Sequence, residues 1–275
     1  MKTRIYNITN LAVFEDRKII ISILASIMIA LLLGSCQKKT TPLFVLKTDS
    51  GIDFKNQLFP SAELNILTYL YYYNGGGVAT GDFNNDGLID LYFTGNQVSD
   101  KLYLNQGALQ FKDITAAALI QNDSGWTTGV TTVDINNDGL LDIYVCKVGE
   151  FESIKGQNIL YVNQGLDENG LPKFKDEANA YNLDIKSFAT QSSFFDFDLD
   201  GDLDMFLLNH SVYPNRTYGK GNIRNQIDSV AGDKLFENQD GHYIEISQKA
   251  GIFQGRIGYG LGLGISDLNN DGFPD

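Results

Sequence analysis

The chain carries the nonapeptide Asp-Phe-Asn-Asn-Asp-Gly-Leu-Ile-Asp at residues 82–90 and repeats its pattern three times. The copies read Asp-Ile-Asn-Asn-Asp-Gly-Leu-Leu-Asp at 134–142, Asp-Phe-Asp-Leu-Asp-Gly-Asp-Leu-Asp at 196–204 and Asp-Leu-Asn-Asn-Asp-Gly-Phe-Pro-Asp at 267–275. Successive copies start 52, 62 and 71 residues apart, a spacing that suits one repeated structural unit with insertions. We call these segments loops 1 to 4.

Strand-like segments also recur after each of the first three loops. They lie at 101–107, 159–165 and 234–238, and then at 111–114, 174–176 and 243–246. Each unit is therefore predicted to contain strand A, the acidic loop, and strands B, C and D. Four short antiparallel strands per repeat are typical of a propeller blade. The sequence predicts an all-β protein, a β-propeller of about three blades and part of a fourth over residues 50–275. Its A strands should lie side by side near the axis, at 76–81, 128–133 and 191–195.

The loops place oxygen-bearing groups at alternate positions, as a site for a hard cation requires. Positions 1, 3, 5 and 9 are Asp or Asn, and position 6 is always Gly, as a sharp turn needs. Position 7 varies, which fits a ligand that uses its backbone carbonyl. This all-oxygen set favours Ca²⁺ over zinc or copper. The predicted ligands are Asp82, Asn84, Asp86, Leu88, Asp90, Asp134, Asn136, Asp138, Leu140, Asp142, Asp196, Asp198, Asp200, Asp202, Asp204, Asp267, Asn269, Asp271, Phe273 and Asp275.

The loops differ from two common acidic turns, the EF-hand and the plain hairpin. An EF-hand would need Glu at position 12, where Phe93, Val145 and Leu207 stand instead. A plain hairpin turn would explain Asp-Gly, but it does not need carboxylates at positions 1, 5 and 9, which repel one another without a cation. Loop 3, with five aspartates, should attract cations most strongly. Loop 4 is expected to be empty or disordered, because nothing should hold Asp275 in place.

The segment before the repeats has the features of an export signal. Residues 19–33 are apolar or small and uncharged, and basic residues precede them. Residues 33–36, Leu-Gly-Ser-Cys, resemble a bacterial lipobox, which implies a lipid on Cys36. Because Gln37 follows, an outer-membrane or cell-surface location is favoured. We predict a lipoprotein signal peptide at 1–35 and a linker at 36–49; the alternative is an uncleaved anchor helix.

The charge balance restricts the class of partner. The 275 residues include 21 Lys and Arg against 34 Asp and Glu, a net charge of −13, which disfavours nucleic acid. Two His and two Cys leave little material for zinc or disulfide chemistry. Cys146 lies in a strand pattern and is predicted to be a buried, inert thiol. His210 and His242 are predicted to be structural.

These loops resemble those of FG-GAP or VCBS-type repeat proteins, which implies a propeller, typically of seven blades, with calcium loops between the first two strands of a blade. More narrowly, residues 73–79, 126–130 and 207–211 resemble the bacterial cartilage-acidic-protein-like lipoproteins associated with ASPIC/UnbV domains. The resemblance covers about residues 50 to 275. An ASPIC/UnbV segment is not visible, and the chain is expected to be an N-terminal fragment of a longer protein.

Two classes of function remain open from the sequence. The first, which we favour, is a non-catalytic, calcium-binding adhesion or interaction module with an unidentified protein or glycan ligand. The second is a propeller enzyme acting on glycans or phosphoesters. The sequence contains no nucleophile elbow, HExxH, P-loop or dinucleotide fingerprint. The insertion Asn209–Gly232 is predicted to be a solvated loop, with a partner-binding loop as the alternative.

Overall fold

The chain divides into two units, Met1–Thr48 and Asp49–Asp275. The computed structural model describes residues 20–26, 28, 42–121, 125–213 and 221–275. In the first unit, residues 20–26 and 28 are helical. None of the helices in the described ranges has the length and apolar character that a membrane crossing requires. Cys36 and most of the predicted signal peptide lie outside the described residues.

The second unit contains three four-stranded antiparallel sheets, which we call blades 1 to 3. Within each blade, the strands are hydrogen-bonded in chain order. Blade 1 is β1 (Val78–Gly81), β2 (Asp90–Phe93), β3 (Lys101–Asn105) and β4 (Phe111–Asp113); blade 2 is β5 (Trp126–Val133), β6 (Asp142–Val148), β7 (Ile159–Leu166) and β8 (Pro172–Asp176); blade 3 is β9 (Ala189–Phe195), β10 (Asp204–Asn209), β11 (Lys234–Gln239) and β12 (His242–Glu245). A short 3₁₀ helix, Gly221–Asn225, lies between β10 and β11. The predicted all-β class and the four-stranded units are confirmed.

The burial of the strands follows their place in the stack. In β1 and β2 buried and more exposed residues alternate, as in strands with one face on the core. All seven residues of β6 are buried, and its apolar side chains belong to three different cores, the third of which contains Val148. Val145 packs in a core with residues of blade 1, such as Tyr92, and Tyr144 and Cys146 pack in a core with Met205 of blade 3. Blade 2 is therefore covered on both faces.

Cys146 is fully buried in the second of these cores. Burial raises the pKa of its thiol to about 12, so the thiolate needed for reactivity does not form near neutral pH. The predicted burial of this thiol is confirmed.

Each of the first three acidic loops connects the first two strands of a blade. In all three, the aspartate at position 9 opens the second strand and pairs with the last residue of the first strand. The pairs are Gly81 with Asp90, Val133 with Asp142, and Phe195 with Asp204. The loops therefore occupy the same place in every blade, as the predicted order of strand A, loop and strand B requires.

The first strands of the three blades lie side by side. The backbone N–H of Gly77, next to β1, donates to the carbonyl oxygen of Thr128 in β5 at 2.8 Å. The Thr128 hydroxyl in turn donates to the carbonyl oxygen of Ala189 in β9, also at 2.8 Å. The strands approach so closely at Gly129 that a methyl group there would collide with the carbonyl oxygen of Thr190. The predicted adjacency of the A strands is confirmed.

Candidate functional site

The aspartate at position 1 of each loop organises the turn through its two carboxylate oxygens. In loop 1, Asp82 Oδ1 accepts the N–H of Asp86 at 3.0 Å and Oδ2 accepts the N–H of Gly87 at 2.7 Å. The equivalent pairs of bonds recur in the other three loops. The glycine at position 6 has a positive φ in every loop, 86° at Gly87, which explains why this position is invariant among the four copies.

Position 4 also adopts the left-handed conformation in all four loops. Its φ values are 54° at Asn85, 55° at Asn137, 64° at Leu199 and 61° at Asn270. Asn tolerates this conformation better than other residues with a side chain, so three of the four loops carry the suited residue. The pattern of the repeats contained this signal, but sequence reasoning did not assign a role to position 4.

In loops 1 to 3 the aspartate at position 9 is buried and links the loop to the third strand of the blade. Asp90 Oδ2 accepts the N–H of Phe83 at 3.0 Å, and Oδ1 accepts the N–H of Asn105, the last residue of β3, at 2.8 Å. Asp142 and Asp204 make the same two bonds in blades 2 and 3. Burial, the largest cause, raises the pKa of all three carboxyls to about 6. The position-9 carboxylate therefore holds the loop against the third strand, in addition to its predicted role as a ligand.

An asparagine in the third strand of each blade donates a hydrogen bond from its side chain back to the loop. Asn105 Nδ2 donates to the carbonyl oxygen of Ile89 at 2.9 Å, and Asn163 and Asn238 make equivalent bonds. Asn163 Nδ2 also donates to the carbonyl oxygen of Phe83 in loop 1 at 3.0 Å. Asn85 donates to the carbonyl oxygen of Gly139 in loop 2 at 3.3 Å. Loop 1 is thus hydrogen-bonded to loop 2 and to the third strand of blade 2.

Position 3 distinguishes loop 3 from the others. In loops 1, 2 and 4 it is an asparagine, whose Nδ2 donates to the position-5 carboxylate at 2.9 to 3.0 Å. Asp198 stands there in loop 3 and has no such proton to donate when ionised. The carboxylates of Asp196, Asp198 and Asp204 offer oxygens that all lie within 4.8 Å of one another. This cluster of acidic side chains could hold a metal ion.

Asp202, at position 7 of loop 3, has an unexpected setting. Its Oδ1 is enclosed and has no hydrogen-bond partner among the described residues. Burial raises the pKa of this carboxyl, and repulsion from Asp200 and Asp198 is a smaller cause in the same direction. From the sequence, only the backbone carbonyl of position 7 was expected to matter, yet here the side chain adds a further carboxyl to the most acidic loop.

Loop 4 has the same internal hydrogen bonds as the other loops. Asp275 Oδ2 accepts the N–H of Leu268 at 2.8 Å, and the Asp275 N–H donates to the carbonyl oxygen of Ser266 at 2.9 Å. The expectation that nothing holds Asp275 in place is therefore wrong. A residue at the start of the loop supplies the partner, since the turn brings position 9 back beside the residue before position 1.

A cavity of about 390 Å³ lies near the beginning of β1, β5 and β9, the first strands of the three blades. We call these the inner strands, and the cavity the inner-strand cavity. Aromatic rings, amides, hydroxyls and glycines surround it. Its lining residues are Tyr69, Tyr71, Asn74, Gly75, Gly76, Gly77, Trp126, Thr128, Gly129, Thr190, Gln191, His210 and Leu261. The sequence does not reveal this cavity, because its walls come from segments far apart in the chain.

His210 is buried in the wall of this cavity between two hydroxyl groups. Its Nε2 lies 3.0 Å from the Tyr69 hydroxyl and its Nδ1 lies 3.0 Å from Thr190 Oγ1. Burial lowers the pKa of the imidazole to about 3, so the ring is neutral near pH 7. A neutral imidazole donates through one nitrogen and accepts through the other, which matches its two hydroxyl neighbours.

Replacing His210 by Gln should make the protein less sensitive to acid. Because the folded pKa lies below the ordinary value of 6.5, the unfolded chain binds the proton first as the pH falls. The wild-type free energy of unfolding should then drop relative to that of His210→Gln by about 1.4 kcal/mol per pH unit below pH 6.5. Urea unfolding of both proteins at pH 7 and pH 5 measures this difference. The pH dependence that comes from the loop carboxylates is the same in both proteins and cancels in the comparison. Parallel pH dependences would contradict the neutral, buried state of the ring.

Comparison with known sequences finds similarity in the region of the loops. Residues 82–145, which contain loops 1 and 2, match the FG-GAP-like repeat family. Over 210 residues, 74% of the chain, the sequence is 26% identical to cartilage acidic protein 1 of Mus musculus, and over 137 residues, 49% of the chain, it is 28% identical to cartilage acidic protein 1 of Homo sapiens. The matched regions are only 28% and 20% of those two proteins. The resemblance inferred from the acidic loops is confirmed: residues 82–145 match the FG-GAP-like repeat family, and the chain is similar to cartilage acidic protein 1.

Proposed function

We propose that this chain is a calcium-binding, non-catalytic interaction module that is held at the outer membrane or cell surface by a lipid on Cys36. The FG-GAP-like repeat and the stacked four-stranded sheets are the features of an interaction scaffold. The observation that carries the calcium assignment is the third loop, where Asp196, Asp198 and Asp204 bring carboxylate oxygens within 4.8 Å of one another. Like charges at that separation favour either protonation or a bound cation.

Calcium suits these loops because of both ligand type and ligand geometry. Ca²⁺ takes six to eight oxygen ligands in a flexible arrangement, from carboxylates, amide carbonyls and backbone carbonyls. Each loop supplies such oxygen groups at positions 1, 3, 5, 7 and 9. The hydrogen bonds of the position-1 aspartate fold the turn around them. Extracellular calcium modules have Kd values of about 0.1 to 1 mM, so we expect saturation at a few millimolar calcium.

Calcium titration by calorimetry, with one loop disabled at a time, tests this assignment. Asp200→Ala should remove one calcium from the stoichiometry, because position 5 of loop 3 has no substitute carboxylate. Leu88→Ala is the matched control in loop 1, where position 7 is proposed to act only through its backbone carbonyl, and it should leave the stoichiometry unchanged. A wild-type protein that takes up no calcium at 5 mM, or an Asp200→Ala variant with wild-type stoichiometry, would contradict the proposal.

The lipid anchor is tested separately from calcium. Cys36→Ser should move the protein from the membrane fraction to a soluble or uncleaved form, because the acylated side chain is lost. Cys146→Ser is the control, since this buried thiol should not carry a lipid, and its product should stay in the membrane fraction. The proposal is wrong if mass spectrometry finds no acyl group on residue 36 of the membrane-extracted wild type.

Binding is favoured over hydrolysis by the character of the inner-strand cavity. Glycoside hydrolases generally use a pair of carboxyl groups that flank the bond to be cleaved. The residues that line this cavity are all neutral, including His210, whose pKa is lowered by burial. The acidic side chains of loops 1 to 3 instead lie in the turns between the first and second strands. We therefore place recognition, and not catalysis, in this part of the chain.

A further inference from the structure

We infer that the inner-strand cavity binds a small neutral saccharide. This inference names the ligand class of the interaction module and so rests on the proposed function. The cavity measures about 390 Å³, within the range of small-molecule sites. A glycan end or a free sugar fits this space, whereas a protein would have to insert a single side chain.

The lining of the cavity excludes charged ligands on physical grounds. The chain has a net charge of −13, yet the cavity presents amides, hydroxyls, aromatic rings and backbone groups. An ion that entered would lose hydration without meeting a counter-charge, which is unfavourable. A neutral molecule with many hydroxyl groups pairs with Asn74, Gln191 and Thr190, while its apolar C–H groups meet the ring edges of Tyr71 and Trp126.

The hydroxyl of Tyr71 is the strongest sign that this cavity takes a polar ligand. Tyr71 is 7% exposed, and its hydroxyl has no hydrogen-bond partner among the described residues. Buried polar groups are almost always hydrogen-bonded, because an unpaired one loses the stabilisation that water supplies to the unfolded chain. The neighbouring Tyr69 and His210 are paired with each other at 3.0 Å. A sugar hydroxyl in the cavity would give Tyr71 the partner that the protein does not.

The aromatic wall is held rigidly, which favours binding without rearrangement. The Tyr71 ring lies 4.1 Å from the His210 ring, centroid to centroid. The Trp126 ring packs at 5.3 Å against both Tyr69 and Tyr72. A wall that is already fixed by its own neighbours loses little conformational freedom when a ligand arrives. Since these rings are almost fully buried, recognition depends on their edges and hydroxyls more than on stacking.

Trp126 provides a direct assay, because it is the single tryptophan of the chain and lines the cavity. Glucose, galactose, N-acetylglucosamine and maltose are titrated into the full chain with 5 mM calcium, and tryptophan emission is recorded. We expect a saturable change with at least one of these sugars and a Kd in the millimolar range or tighter. Glucuronic acid should bind at least several-fold more weakly than glucose, because its carboxylate finds no counter-charge.

Tyr71→Phe separates recognition from folding. It should weaken the best sugar about three- to tenfold, the effect of one lost hydrogen bond. Its free energy of unfolding without sugar should be unchanged or higher, because an unpaired buried hydroxyl is gone. Tyr73→Phe is the control: Tyr73 is 65% exposed and does not line the cavity, so sugar affinity should remain at the wild-type value.

Two outcomes overturn the inference. One is the lack of a saturable emission change with all four sugars, whether or not choline chloride gives a change. The other is wild-type sugar affinity in Tyr71→Phe. The calcium-dependent melting temperature of the same samples reports on the proposed function independently. Sugar binding that fails while calcium still raises the melting temperature rejects the saccharide site alone, whereas failure of both rejects the proposed module.

Discussion

Asp142→Ala is expected to lower the free energy of unfolding by about 2–6 kcal/mol, even when calcium is chelated. The carboxylate of Asp142 accepts the backbone N–H of Ile135 at 2.9 Å and that of Asn163 at 2.7 Å. Removing it leaves two enclosed N–H groups without partners, each at a cost of about 1–3 kcal/mol. Urea unfolding in excess chelator measures the loss without any contribution from a bound ion.

Asp138→Ala is the matched control within the same loop. Asp138 is exposed, and the backbone N–H that it accepts, from Leu140, is at the surface. In chelator its replacement should change the free energy of unfolding by no more than about 1 kcal/mol. If Asp142→Ala does not fold, Asp142→Asn keeps one acceptor oxygen and should fall between the two. If Asp138→Ala and Asp142→Ala lower the free energy of unfolding equally, the position-9 carboxylate does not hold the loop to the third strand.

Removal of calcium is expected to lower the free energy of unfolding of the wild type by about 4 kcal/mol. At a free calcium concentration of about ten times Kd, each occupied site contributes roughly 1.4 kcal/mol. Loops 1 to 3 together then give this value if they act independently, a large share of a typical domain's stability. Thermal and urea unfolding at 5 mM calcium, compared with excess chelator, measure the difference.

Magnesium at the same concentration is the control for a general charge effect. It demands a smaller, near-octahedral site and keeps several of its waters, so it should restore only a small part of the stability. The loops would be shown to be ordinary turns by a melting temperature that responds neither to calcium nor to the chelator. Full recovery with magnesium would indicate charge screening and not a calcium site.

The loops could be predicted from sequence because their information is local. The alternation of Asp and Asn, with Gly at position 6, defines the turn within nine residues. The order of strand A, loop and strand B follows from it, and the Gly81–Asp90 pairing agrees. The expectation for Asp275 was wrong because its partner Ser266 lies directly beside the turn.

The remaining features could not be predicted because they depend on residues that meet only after folding. His210 contacts Tyr69 across 141 positions of the chain. Asn105 was part of a repeated strand pattern, yet nothing in that pattern shows that its N–H meets a buried carboxylate. The inner-strand cavity likewise combines segments from all three blades. Periodicity identifies strands, but it does not reveal which distant side chains become neighbours.

The two hydrogen bonds of Asn163 make the stability of one blade depend on that of its neighbour. One amide group donates both to Leu141 in its own blade and to Phe83 in the blade before it. In repeat proteins whose units contact only their neighbours, stability is a sum of unit and interface contributions. Disturbing one acidic turn should therefore loosen the adjoining blade first and more distant blades only in succession. The array would then unfold progressively from the disturbed blade outward. The strength of each contact between blades would determine how far the unfolding spreads.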